Sequence, residues 1–164
     1  MLSVAEALRA VLDRVAPLDT VSSELDAACG AVLAEPIVAT RASPGFDNSA
    51  MDGYAVRAAD LPGTLPIAAT VFAGTTAVAP IPAGTAIRIF TGAPLPPELD
   101  TVVIQEDATR EGDRVTLPAA RAGDHIRRMG EDIAIGDTVL AAGVRLRPWD
   151  LGVLAALGVA RVPV

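Results

Sequence analysis

The sequence contains no lysine, so all 13 of its basic residues are arginines. A lysine Schiff base and a lysine-dependent phosphate loop are therefore excluded. The 20 Asp and Glu residues outnumber the arginines and leave a net charge of -7. That argues against nucleic acid, whose electrostatic footprint on a protein is a basic face. Only five residues are aromatic: Phe46, Tyr54, Phe72, Phe90 and Trp149. No stacking platform for single strands can be built from so few. The core must come from Val, Ile, Leu and Ala, and Trp149 reads as a packing residue at the start of a helix. Cys29 is the only cysteine, which excludes an internal disulfide and a cysteine zinc site. Between Ala28 and Gly30 it reads as small core filler. His125 is the only histidine and has no Ser or Cys partner in a recognisable pattern, which argues against a catalytic triad. The longest apolar run, Leu151 to Ala160, falls well short of the roughly 20 residues that span a bilayer. With no signal-peptide pattern at the N-terminus and no disulfide framework, the expected location is the reducing cytoplasm.

Hydrophobic residues make up 51% of the 164-residue chain, ample for a core. The 14 glycines and 13 prolines punctuate it without reaching the roughly 25–30% that signals disorder. Ser3-Val4-Ala5-Glu6 is a capping-box pattern. After it, Val4, Leu8, Val11, Leu12 and Val15 fall on one face of a helix expected to stop near Pro17. A short strand is expected within Thr20–Leu25, a helical turn over Asp26–Gly30, and an interrupted strand around Pro36. From Met51 to about Gly130 helical periodicity disappears. Short β-prone runs follow at Met51–Val56, Pro66–Phe72, Ala86–Ile89, Thr101–Glu106 and Arg114–Leu117. Glu111-Gly112-Asp113 reads as a hairpin turn between the last two. Thr138–Leu140 is strand-like. Pro148 suits the first turn of a second helix that ends at Gly158, and a last strand begins at Val159.

The pattern predicts a mainly β protein with a few helices. Residues 1–46 and 134–164 form one discontinuous mixed α/β domain. Residues 47–133 form an inserted β domain, small and twisted or barrel-like, that carries the candidate active-site motifs.

The chain is organised around Pro44-Gly45-Phe46-Asp47-Asn48-Ser49-Ala50-Met51-Asp52-Gly53-Tyr54-Ala55-Val56, a turn-rich loop running into a strand. Asp52 sits at the junction, held by the strand and accessible from the loop. Its plainer alternative is a solvated carboxylate at a strand entry. The stretch resembles the signature of the MoeA family, the molybdopterin molybdenumtransferases of molybdenum cofactor synthesis, which includes the corresponding domain of gephyrin. Three further stretches resemble it in order. They are Ala83-Gly84-Thr85-Ala86-Ile87-Arg88-Ile89-Phe90-Thr91-Gly92-Ala93-Pro94, Asp100-Thr101-Val102-Val103-Ile104-Gln105-Glu106, and Ile126-Arg127-Arg128-Met129-Gly130-Glu131-Asp132-Ile133. The resemblance implies an elongated two-domain unit of irregular, coiled β-sheets.

It also implies a reaction. Molybdate enters the dithiolene of adenylylated molybdopterin, AMP leaves, and Mg²⁺ assists. Asp52, Thr91 and Asp132 fall where the family's motifs carry functional residues, with Asp52 the metal candidate. Ser49, Gly92, Arg127 and Arg128 are the candidates for cofactor contacts. Locally, the Thr91 hydroxyl and the N–H groups near Gly92 could face an oxyanion, or Thr91 could simply organise its own turn. Arg127 and Arg128 could take an oxyanion bidentately, or form a surface ion-pair cluster with Glu131 and Asp132. Glu106 and Asp107 read as a solvated strand end. The family's site lies between this β insertion and the pterin-binding domain of a homodimer partner, and nothing here resembles that domain. The chain is thus expected to hold half a site and to be inactive alone. The competing class is a non-enzymatic module that dimerises or docks a partner, as gephyrin does with receptors.

Overall fold

The computed structural model describes residues 2–75 and 79–164. The chain runs through α1 (Val4–Leu12), β1 (Ser22–Glu24), β2 (Ile37–Val38), β3 (Asn48–Ser49), β4 (Gly53–Val56), β5 (Gly63–Val71), β6 (Ala86–Ile89), β7 (Thr101–Ile104), β8 (Thr109–Glu111), β9 (Arg114–Leu117), β10 (Ile126–Arg127), β11 (Thr138–Leu140), α2 (Pro148–Ala156) and β12 (Arg161–Pro163). The described residues are mainly β, with two α-helices, a curled six-stranded sheet and three two-stranded ones. It falls into two compact units, one made of Met1–Ile37 with Thr138–Val164, the other of Val38–Asp137. The sequence pattern put these crossings at 46/47 and 133/134. The difference has a visible cause, since residues 39–44 bond to residues 130–137. The Ser43 N–H donates to the Ile133 carbonyl at 2.9 Å, and the Ala39 N–H donates to the Asp137 carbonyl at 2.8 Å.

In the first unit, β1 pairs antiparallel with β12. Ala28, Leu33, Leu146, Leu154 and Val162 form its core. The α1 capping box is present in both directions: the Ser3 hydroxyl accepts the Glu6 N–H, and the Glu6 carboxylate accepts the Ser3 N–H. The helix ends at Leu12, not near Pro17, with Asp13 as its C-cap. None of its residues is buried, so the Val4, Leu8, Val11 and Leu12 stripe faces outward. Two other expectations are corrected here. Cys29 is exposed, and its neighbour Ala28 fills the core position instead. Trp149 is 63% exposed and stands outside the core cluster, its ring 4.8 Å from the Arg147 guanidinium.

The second unit is built on a six-stranded sheet in the order β7-β4-β6-β5-β9-β8. Its strands alternate because successive side chains point to opposite faces. Ala55, Ile87, Ile89 and Val102 pack on one face, and Tyr54, Val56, Ala86 and Val103 on the other. All four residues of β4 are buried, since it lies between β6 and β7. The sequence reading of the hairpin is also corrected. Glu111-Gly112-Asp113 does turn into β9, but from β8; β7 lies at the opposite edge of the sheet. The β8 run Thr-Arg-Glu is exposed and polar, so no apolar alternation marked it.

Gly53 is fixed by sterics. A Cβ there would lie 2.1 Å from the Val103 carbonyl oxygen. That oxygen belongs to the adjacent strand and cannot swing away as a side chain would. Gly53→Ala is expected to cost about 1–3 kcal/mol or more. Urea unfolding of the variant measures it, and wild-type stability would show that β7 can move.

Candidate functional site

Asp52 enters β4 one residue before Gly53, and its backbone continues the ladder: its carbonyl accepts the Gln105 N–H at 3.0 Å. Its side chain is held by one residue. Thr91 donates its backbone N–H to Asp52 Oδ1 at 2.8 Å and its hydroxyl to the same oxygen at 2.7 Å. Oδ2 takes no hydrogen bond among the described residues. These two donors, the backbone N–H first, pull the Asp52 carboxyl below the ordinary carboxylate range, and the nearby Arg88 charge adds to them.

Thr91 reaches Asp52 because β6 ends two residues earlier and the chain turns at Gly92, whose φ is +78°. Gly92 donates its N–H to the Ser49 carbonyl at 2.8 Å, and Ser49 donates its own to the Ala93 carbonyl at 3.0 Å. The buried Ser49 hydroxyl donates to the Met51 carbonyl at 2.6 Å, which shapes the approach to Asp52. So Asp52, Thr91, Gly92 and Ser49 come together. In this structure the donors of the Thr91-Gly92 turn are engaged by the Asp52 carboxylate and the Ser49 carbonyl.

The other candidates form a second group. β10 pairs with β3 so that Arg127 lies opposite Asn48. Arg127 donates to Glu131 at 3.3 Å and to Asp132 at 2.5 Å. Arg128 turns to Asp47, where its guanidinium meets one carboxylate oxygen at 2.6 Å while the Met129 N–H meets the other at 2.8 Å. Both arginines thus hold carboxylates of their own unit, which is the ion-pair alternative. No hydrogen bond joins Asp132 to Asp52 among the described residues. Glu106 and Asp107 are exposed on the 3-10 turn Gln105–Asp107, as expected of a solvated strand end.

Two contributors escaped the sequence reading. Arg88 and Gln105 lie beside Asp52, and the available signal was one charge inside the otherwise apolar Ala86–Ile89 run. Among the described residues no three His, Cys, Asp or Glu side chains group as a metal cage. Mg²⁺ does not require one, since it takes one or two carboxylates and completes its shell with water and phosphate oxygens. A single carboxylate with one oxygen fixed and the other unengaged fits that pattern.

The fold and site define a class: a two-unit, mainly β chain whose curled sheet presents one clamped carboxylate. Residues 2–158 match the model of the MoeA N-terminal region, domains I and II. The molybdopterin molybdenumtransferase of Haemophilus influenzae is 40% identical over 167 residues, covering 99% of this chain and 41% of that protein. Molybdopterin molybdenumtransferase 2 of Mycobacterium tuberculosis is 43% identical over 173 residues, covering all of this chain and 42% of that one. The crystal structure of the molybdopterin biosynthesis moeA protein from Pyrococcus horikoshii superposes with a TM-score of 0.90 at 40% identity, over 98% of this chain and 45% of that one. The chain belongs to the MoeA family and corresponds to its N-terminal region. It spans about two-fifths of the length of the curated relatives it matches. No helix among the described residues is long and apolar enough to cross a membrane.

Because the folded-state pKa of Asp52 is lowered, its contribution to stability is present above its unfolded value. It is lost as pH falls through the folded one. Thr91→Val removes the hydroxyl donor and leaves the N–H. The Asp52 carboxyl is then expected to titrate higher than in wild type, while remaining below the ordinary range, in a ¹³C NMR titration. An unchanged midpoint would show that the hydroxyl does not hold the carboxylate.

Proposed function

We propose that this chain forms one half of a molybdenum-insertion site. There, molybdate enters the dithiolene of adenylylated molybdopterin and AMP leaves. The observation that carries the reading is the Asp52 carboxylate, clamped through one oxygen by Thr91. It stands in the stretch that resembles the family's signature. The names of the relatives support the assignment to molybdenum cofactor synthesis.

In this reading Asp52 stays ionised at neutral pH and offers Oδ2 to a divalent cation. Mg²⁺, when bound, supplies positive charge to the phosphate oxygens of the adenylyl group. Thr91 orients the carboxylate, and Ser49 and Gly92 fix the turn that presents Thr91. Asp132 and Arg127 support the neighbouring β3–β10 edge, while Arg128 anchors the loop through Asp47. The pterin-binding part of the longer family members supplies the remainder of the site, from the second copy of a cytoplasmic homodimer. By itself the 164-residue chain then lacks transferase activity.

One observation favours the alternative of a dimerising or docking module: the outward apolar stripe of α1, with Val4 87% and Leu8 57% exposed. That stripe also suits the homodimer of the first reading. The same substitution separates the two. In the intact protein, Asp52→Asn is expected to lower molybdenum insertion by about two orders of magnitude with the fold retained. Glu111→Gln, on the far edge of the sheet, leaves it unchanged. An unaltered rate in Asp52→Asn would remove Asp52 from the chemistry and leave the docking reading standing.

A further inference from the structure

Arg88 is the only charged residue of β6, whose other three residues are buried. It lies across from Tyr54 on β4 in the strand register. Its guanidinium is enclosed on several sides. The centroid of the Phe90 ring is 4.6 Å from Cζ and that of Tyr54 is 5.2 Å away. Phe90 is backed in turn by Phe72, stacked at 4.9 Å with the planes 9° apart. Aromatic faces attract a guanidinium and limit the directions in which its donors can point.

Those donors go to both flanks of Asp52. One terminal nitrogen donates to the Gly53 carbonyl at 2.9 Å, the residue directly after Asp52. The other donates to the Gln105 side-chain oxygen at 2.5 Å. Gln105 is the residue whose N–H holds the Asp52 carbonyl. The guanidinium therefore links β4 to the residue just past β7, and both residues it holds are joined to Asp52, one by the peptide bond and one by a backbone hydrogen bond. Thr91 follows Phe90 directly, so the ring that supports Arg88 also precedes the donor that clamps the carboxylate.

We infer that Arg88 is a positioning residue for Asp52. By bridging Gly53 and Gln105 from its seat on Phe90 and Tyr54, it sets the spacing at which Thr91 meets the Asp52 carboxylate. Lysine cannot take its place, because one ammonium cannot reach two carbonyl oxygens in a planar fork while lying flat on a ring. The consequence for molybdenum insertion rests on the reading of Asp52 given above. The positioning itself does not.

The test reads the Thr91 backbone N–H by NMR in the 164-residue chain. In wild type its resonance is expected downfield, as for an amide donating to a carboxylate, with slow exchange. In Arg88→Met this amide is expected to move upfield and to exchange about tenfold faster or more, while the β8–β9 hairpin amides keep their protection. A Thr91 amide unchanged in Arg88→Met overturns the inference, because a residue that only packs the sheet would leave it alone. If Arg88→Met does not fold, Arg88→Lys decides. A Thr91 amide displaced toward the free position supports the inference, and a wild-type amide overturns it. In the intact protein, Arg88→Lys is expected to lower kcat for insertion with little change in KM. A displaced Thr91 amide together with normal insertion by Asp52→Asn would uphold the positioning role and defeat the functional reading instead.

Discussion

One carboxylate oxygen receiving two donors from one threonine is the contact on which the site depends. Oδ1 of Asp52 takes both the Thr91 N–H and its hydroxyl. Charge-assisted bonds of this kind are the stronger ones, and two on one atom leave the carboxylate little rotational freedom. Each partner is placed by a different strand. Asp52 is delivered by β4, whose entry at Gly53 tolerates no side chain. Thr91 is delivered by β6 and the left-handed turn at Gly92, whose N–H is tied to Ser49. The curled sheet brings these two strand ends side by side.

The other charged pairs of this unit act differently. Arg127 with Glu131 and Asp132, and Arg128 with Asp47, are solvent-exposed and bind the loops around β10 to β3. Exposed pairs contribute little stability individually. Their role in this geometry is to set loop paths, with the Met129 N–H adding a third bond at Asp47. These arginines are engaged, whereas Oδ2 of Asp52 takes no bond among the described residues.

Much of this was legible in the sequence wherever a residue has one physical use. The Ser3 capping box, the β6 run Ala86–Ile89, the β9 run Arg114–Leu117 and the β11 run Thr138–Leu140 all formed where their local chemistry placed them. Misreadings arose where context decided. Asn48-Ser49, a turn former by composition, is a buried strand because β10 pairs with it. Cys29 and Trp149 face outward although their types favour burial. Thr91 was legible as a candidate, but its pairing with Asp52 was not. The nest-like turn suggested an anion from outside, whereas the anion it holds is Asp52, 39 residues earlier in the chain. Pairing at that separation depends on the sheet order, which local pattern does not contain.

The clamp requires that the Thr91 hydroxyl act as a donor to Asp52 and not as bulk. Thr91→Ser and Thr91→Val separate these, since serine keeps the hydroxyl and valine keeps the shape. Molybdenum insertion by the intact protein should be measured for both variants under the same conditions. Serine is expected to stay within a few-fold of wild type while valine falls by about 10–100-fold, the range for losing a group that orients a ligand. Equal rates in the two variants, or a serine variant slower than valine, would contradict that role of the hydroxyl.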